Sequence, residues 1–271
     1  MPQVLALMAH PDDIEITCAG TLILLTRAGW DVHLATMTAG DLGSVRLSRA
    51  AIARVRRREA KASAKLLGAG YTCLGFNDLT IVCDESSKRR VSGLIRAVRP
   101  DLLIVPAPVD YLADHEETAR IAREAAFVST IPNWKATLPG PSSRRSAGRA
   151  APPCSKLPVL LYADPIDLTD HVGRRVPARY VVDITPVIDL KETMLAAHDS
   201  QRSWLRAQHG EDEYLLWMRR SGANRARDFR RKAVKYAEGF TQHLGHAFPA
   251  HDVLTPALGR GRVKTIARES L

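Results

Sequence analysis

Apolar positions along the chain fall into short runs separated by stretches of helical periodicity. Val4-Leu5-Ala6-Leu7-Met8 is one continuous apolar run, and residues 32–37 alternate as a strand does. Similar runs predict strands at 71–74, 102–105, 158–162 and 180–184. Between them, 21–27 reads as a helix that stops at Gly29, and 91–98 and 116–127 read as two more. A longer helix over 48–67 places Ile52, Val55, Ala62 and Leu66 on one face before Gly68 closes it. Short strands alternating with helices predict an α/β fold with a Rossmann-like, mostly parallel sheet flanked by helices. From 186 to 243 the pattern is mainly helical, which predicts a helical C-terminal part.

One stretch lacks any period. Residues 139–156 are rich in Pro, Gly, Ser and Arg. They read as a long mobile loop inserted into a single domain spanning 1–271; a lid over a site and an inert insertion both fit it. A basic tail near 256–271 closes the chain. With 271 residues, 45% of them hydrophobic, the chain can bury a sizeable core. No run has the apolar length needed to cross a bilayer, and the N-terminus enters a strand at once, so neither membrane insertion nor a signal peptide is expected. The four cysteines show no CxxC spacing, which fits reduced thiols in the cytoplasm.

The formal net charge of +10 raises the question of a nucleic-acid partner. Its arginines concentrate at 54–58, 144–149, 219–231 and 260–262, with few aromatic residues among them to stack bases. An anionic small substrate is the simpler expectation, with no nucleic acid bound. The sequence leaves the oligomeric state open.

Candidate chemistry lies at the ends of two predicted strands. His10-Pro11-Asp12-Asp13 follows the first apolar run, where open α/β sheets place their ligand crevice. A His and one carboxylate there can hold a metal, which leaves the second carboxylate to take a proton from water. The alternative is a Pro-Asp turn capping the next helix. A second cluster, Asp110-Tyr111-Leu112-Ala113-Asp114-His115-Glu116, follows the run at 102–105. Two strand ends thus supply His, Asp and His, a usual ligand set for a catalytic zinc. A metal-dependent phosphoesterase would draw on the same acids.

These motifs, with Thr38-Ala39-Gly40-Asp41, Arg56-x-x-Glu59, Leu67-Gly68 and Tyr236-Ala237-Glu238-Gly239-Phe240, resemble the LmbE-like or PIG-L zinc N-deacetylases over residues 1–240, least so over 130–178. The resemblance implies Zn²⁺ as cofactor, with His10, Asp13 and His115 as ligands and Asp12 as general base. It implies that Arg56 contacts sugar hydroxyls, where a solvated member of the Arg56-Arg57-Arg58 run is the bland reading. Asp114 is expected to orient a neighbouring group. The implied reaction is hydrolysis of the N-acetyl group of an N-acetylglucosaminyl conjugate.

The chain departs from the family in two places. Leu112 stands where many members carry a His that stabilises the oxyanion, and Asp41 replaces the more common Glu at a substrate-binding position. His171, past the strand at 158–162, is the candidate to supply the missing donor; an exposed loop histidine is its alternative. The last motif looks closest to the deacetylases of glycopeptide-antibiotic clusters, which act on teicoplanin-like pseudoaglycones. Inositol and thiol conjugates are the alternative substrates. Among the remaining residues, His198 reads as a core or surface histidine, and Gly245 argues against a metal site at His243, His246 and His251. Glu238 either approaches the site, by analogy with the family, or pairs with Lys235.

Overall fold

The computed structural model describes residues 1–137, 151–209 and 212–266, so most of the stretch at 139–156 and the end of the 256–271 tail lie outside the described residues. Five strands run parallel: β1 (Gln3–Met8), β2 (Asp31–Thr38), β3 (Gly70–Phe76), β4 (Leu102–Val105) and β5 (Val159–Ala163). Three more, β6 (Tyr180–Asp183), β7 (Ala237–Gln242) and β8 (Val263–Thr265), join antiparallel to complete an eight-stranded sheet of order β3-β2-β1-β4-β5-β7-β6-β8.

The central strands are apolar throughout because both faces are covered. In β1, Val4, Ala6 and Met8 pack into one core with α1 (Asp13–Thr17) and α2 (Ala19–Arg27), while Leu5 and Leu7 pack into the opposite core with α4 (Glu85–Val98) and α5 (Ala113–Ser129). The first core also takes in α6 (Ile188–Ala196) and α8 (Glu213–Ala226), with α7 (Asp199–His209) between them in the chain. A short α9 (Leu254–Leu258) precedes β8.

Helix α3 (Arg49–Leu67) starts at Ser48, whose Oγ accepts the Ala51 N–H at 3.4 Å, and ends at Gly68 with φ 72°. Its buried face is Ile52, Ala53, Arg56, Ala60, Ser63, Ala64 and Leu67, not the face carrying Ala62 and Leu66, which are exposed. Counting apolar residues misplaced the stripe because two polar residues on the buried face, Arg56 and Ser63, have partners inside.

Two other expectations need correction. The C-terminal part is mainly helical through α6, α7 and α8, but not as far as 243: residues 237–242 form a strand between β5 and β6, with Phe240 paired to Ala163 and Tyr180. Helix α5 begins at Ala113, so Asp114 and His115 stand on its first turn rather than in a loop. Among the described residues, no helix is long and apolar enough to cross a membrane.

The chain leaves β1 to build β2 and β3 on one side, then crosses to β4 on the other. The carboxyl ends of β1 and β4 therefore flank the point where strand order reverses, the usual ligand crevice of such sheets.

Candidate active site

The turn after β1 is held in an unfavourable conformation. Asp12 has φ 101° and ψ −26°, a left-handed backbone that costs a non-glycine residue roughly 1–3 kcal/mol. Its surroundings fix it there. Arg56 Nη2 donates to the Pro11 carbonyl at 2.8 Å and to Asp12 Oδ1 at 3.2 Å, and the Tyr214 hydroxyl, from α8, donates to Asp12 Oδ2 at 2.5 Å. The adjacent Asp13 opens α1 and folds back, its Oδ2 accepting the His10 backbone N–H at 2.8 Å.

The first turn of α5 brings His115 to the same point. Asp13 Oδ2 lies 3.5 Å from His10 Nδ1 and 3.5 Å from His115 Nε2, and the donor atoms of the three residues all fall within 4.8 Å of one another. Each imidazole is backed by a carboxylate. Asp114 Oδ2 is 3.1 Å from His10 Nε2 and accepts the Leu79 N–H at 2.8 Å; Asp110 Oδ1 is 3.1 Å from His115 Nδ1. An outer nitrogen held in this way fixes the tautomer and turns the other nitrogen's lone pair inward.

The electrostatics suit a cation. Burial works against protonating either histidine, yet Asp114 and Asp13 raise His10 to about 9, and Asp13 with Asp110 raises His115 to about 10. Burial would lift Asp13, but His115 and His10 hold its carboxyl well below the ordinary range. Asp12 behaves oppositely: burial pushes it up, and Arg56 offsets this only in part. Two neighbouring carboxylates are thus driven apart. Two imidazole nitrogens and one carboxylate, each oriented from behind, fit Zn²⁺ with a coordination position left for a small ligand. Asp78 and Asp114 also lie near His10 Nε2, but Asp114 is already engaged by Leu79 and Ile81.

A cavity of about 580 Å³ opens beside these groups. Its floor includes His10, Asp12, Asp13, Arg56, Asp78 and His115, and Leu112, the N-cap of α5, lines it without a capping side-chain bond. The far wall comes from α7 and α8, with Trp204, Tyr214 and Trp217 among its residues. Asp110, Asp78 and Tyr214 were not assigned from sequence. The first two follow strand ends, the rule that singled out His10. Tyr214 lies 202 residues from Asp12 and carries no local signal.

The remaining candidates fall in different places. Arg56 lines the cavity, but its guanidinium binds Pro11 and Asp12, and a Cβ at Gly40 or Gly43 would collide with it. Asp41 is not on the cavity wall: it accepts the Asp78 N–H at 2.9 Å and the Arg49 Nε–H at 2.7 Å, so it ties the loop after β2 to the loop after β3. The shorter acid reaches these neighbours rather than the cavity. His171 is likewise kept away. Asp170 turns the loop by accepting the Val172 and Arg174 N–H groups, and His171 points out, 63% exposed, with Nδ1 3.8 Å from Glu116. Glu238 meets neither the cavity nor Lys235; it accepts the Gly20 and Thr21 N–H groups and pairs with the buried Lys191 at 2.6 Å. His198 is fully buried, 3.3 Å from Glu15, and His243 lies 3.1 Å from the Tyr162 hydroxyl.

Fold and site together define a Rossmann-like α/β protein with a His-Asp-His centre at its switch point. Residues 5–126, which supply all three of those groups, match the family model described as PIG-L: GlcNAc-PI de-N-acetylase. The chain is 27% identical over 223 residues to diacetylchitobiose deacetylase of Thermococcus kodakarensis, covering 79% of this chain and 73% of that protein. The solved 4-carboxy-2-hydroxymuconate hydratase of Pseudomonas putida shares the fold, with TM-score 0.72 and 19% identity over 93% of this chain and all of that one. A deacetylase of the teicoplanin biosynthetic pathway has TM-score 0.60 and 16% identity, covering 89% of this chain and 99% of its own. Of these two deacetylases, chitobiose deacetylase is the nearer in sequence, and the structural likeness to the teicoplanin-pathway enzyme does not single out glycopeptide enzymes.

Proposed function

We propose that the chain is a zinc-dependent N-deacetylase acting on an N-acetylglucosaminyl conjugate. The observation that carries this reading is the division between two adjacent carboxylates: Asp13 converges with His10 and His115, while Asp12 faces the same cavity held by Arg56 and Tyr214. His10, Asp13 and His115 would hold the metal, which supplies an acidified water and polarises the amide carbonyl. Asp12 takes a proton from the attacking water and returns it to the departing amine. The bonds from Arg56 and Tyr214 leave lone pairs on both Asp12 oxygens and stop the carboxylate from turning onto the cation. Asp114 and Asp110 keep the two imidazoles in register. Leu112 offers no side-chain donor to the oxyanion; Tyr111, whose ring centroid lies 5.5 Å from that of His115 with the two rings nearly perpendicular and which lines the cavity, offers an O–H instead.

The similarity to diacetylchitobiose deacetylase supports an amino-sugar substrate. A glycopeptide pseudoaglycone is one conjugate of this class, and the teicoplanin-pathway structure supports the architecture alone. All four cysteines are unpaired, which supports a reducing, cytoplasmic setting. Acetate release from a panel of N-acetylglucosaminyl conjugates tests the reading. Hydration of an unsaturated dicarboxylate with no acetate released would assign the chain to the chemistry of its hydratase neighbour instead.

A further inference from the structure

The two carboxylates behind the imidazoles of the His-Asp-His centre are not held alike. Asp114, behind His10, accepts two backbone N–H groups from the loop after β3, that of Leu79 at 2.8 Å and that of Ile81 at 3.3 Å. Asp110, behind His115, accepts one. Its Oδ2 takes the Ile166 N–H at 3.3 Å, and among the described residues no other N–H or O–H donates to that oxygen. With Oδ2 engaged there, Oδ1 is left facing His115 Nδ1 at 3.1 Å. The orientation of His115 thus depends on where the loop after β5 places one amide.

Helix α8 grips that loop at two points. Arg225 donates to both Asp164 oxygens at 2.7 Å, and two turns earlier in the helix the Trp217 indole N–H donates to Asp167 Oδ1 at 2.6 Å. Just past Ile166 the backbone is turned where side chains rarely allow it: Asp167 has φ 59° and Leu168 φ 61°, two successive left-handed residues without a glycine. Such a turn persists when its neighbours hold it. Asp167 itself is exposed and does not line the cavity, so its side chain acts on the turn through Trp217.

We propose that Asp167 is a positioning residue for the metal centre: its bond to Trp217 fixes the left-handed turn that presents the Ile166 N–H to Asp110, and Asp110 in turn orients His115. The inference rests on the zinc reading of the His-Asp-His centre. A contact that merely stabilised the loop would lower Tm and leave metal binding untouched, whereas here its loss reaches the metal through Asp110.

Zinc affinity, measured by competition with a chromogenic chelator, is followed together with the Tm of the metal-free protein and with acetate release. Asp167→Ala removes the acceptor and puts a residue that disfavours the left-handed region in its place, and should weaken zinc binding about tenfold, the lower end of what losing a ligand's supporting partner costs. Asp167→Asn keeps an oxygen for the indole and tolerates the same backbone, and should hold affinity within about twofold of the wild type. Trp217→Phe keeps a ring, removes the N–H and should match Asp167→Ala. In an Asp110→Asn background the route is already cut, so adding Asp167→Ala should change zinc affinity by no more than about twofold. A lower Tm with unchanged zinc affinity, or an effect of Asp167→Ala that persists in full beside Asp110→Asn, would overturn the proposal. Either result with acetate released by the wild type leaves the deacetylase reading standing. The expected pattern of affinities in a protein that releases no acetate sustains the positioning role and defeats that reading, and a wild type that binds no zinc would overturn both.

Discussion

Arg56→Ala separates an anchoring role from a substrate contact. The Arg56 side chain is 6% exposed and reaches a carboxylate that is itself 9% exposed, so truncation leaves Asp12 buried without its cation. Removing one partner of a buried pair costs about 3–5 kcal/mol, and the retained Tyr214 bond places this case near the lower figure. Loss of the Pro11 bond acts in the same direction, because it frees a turn whose φ of 101° is unfavourable. For a chain of this size, 1 kcal/mol corresponds to about 2–4 °C in Tm, so the variant should melt roughly 6–12 °C lower. Arg57 and Arg58, exposed on the same helix, should each change stability by no more than about 0.5 kcal/mol when replaced by alanine. Thermal and urea unfolding of the three variants, with KM and kcat on the same preparations, make the comparison. If Arg56→Ala melted like Arg57→Ala and only raised KM, the guanidinium would be gripping substrate and the anchoring argument would be wrong.

Asp110→Asn and Asp114→Asn should each weaken metal binding by roughly 10–100-fold, read by competition with a chromogenic chelator, because each removes the carboxylate behind one imidazole; unchanged affinity would contradict that arrangement. His171→Ala should leave kcat/KM unaltered, since the side chain is exposed and off the cavity wall, whereas a large loss would return it to the site. Lys191→Ala strands Glu238 beneath α2 and should lower stability by about 3–5 kcal/mol in urea unfolding; a cost near zero would mean that the two N–H groups satisfy Glu238 unaided.

Much of this arrangement was legible in the sequence because it follows from topology. His10, Asp13 and His115 lie just past the carboxyl ends of β1 and β4, and those strands are adjacent in the sheet, so two distant motifs meet without further instruction. The same rule, applied to the ends of β3 and β4, reaches Asp78 and Asp110. What stayed hidden depends on long-range partners. Arg56 sits in a run of arginines and only its neighbours show that it points inward. Tyr214 belongs to a helix whose face is set by the cavity. The strand β7 contains Glu238 and Gly239, which break the apolar alternation because Glu238 turns toward the α2 N-terminus and a Cβ at Gly239 would strike Asp164. Asp41 and His171 had suitable chemistry and suitable chain positions, but local turns direct both away.

Metal content and kcat measured together on Asp12→Asn and Asp13→Ala test the division of labour most directly. Asp13→Ala should lose the metal. Asp12→Asn should keep it, fold normally, and lose roughly 10²–10⁴ in kcat, because an amide cannot accept the proton of water. An Asp12→Asn protein that lost its metal, or that kept near-normal kcat, would contradict the assignment of base and ligand to these two carboxylates.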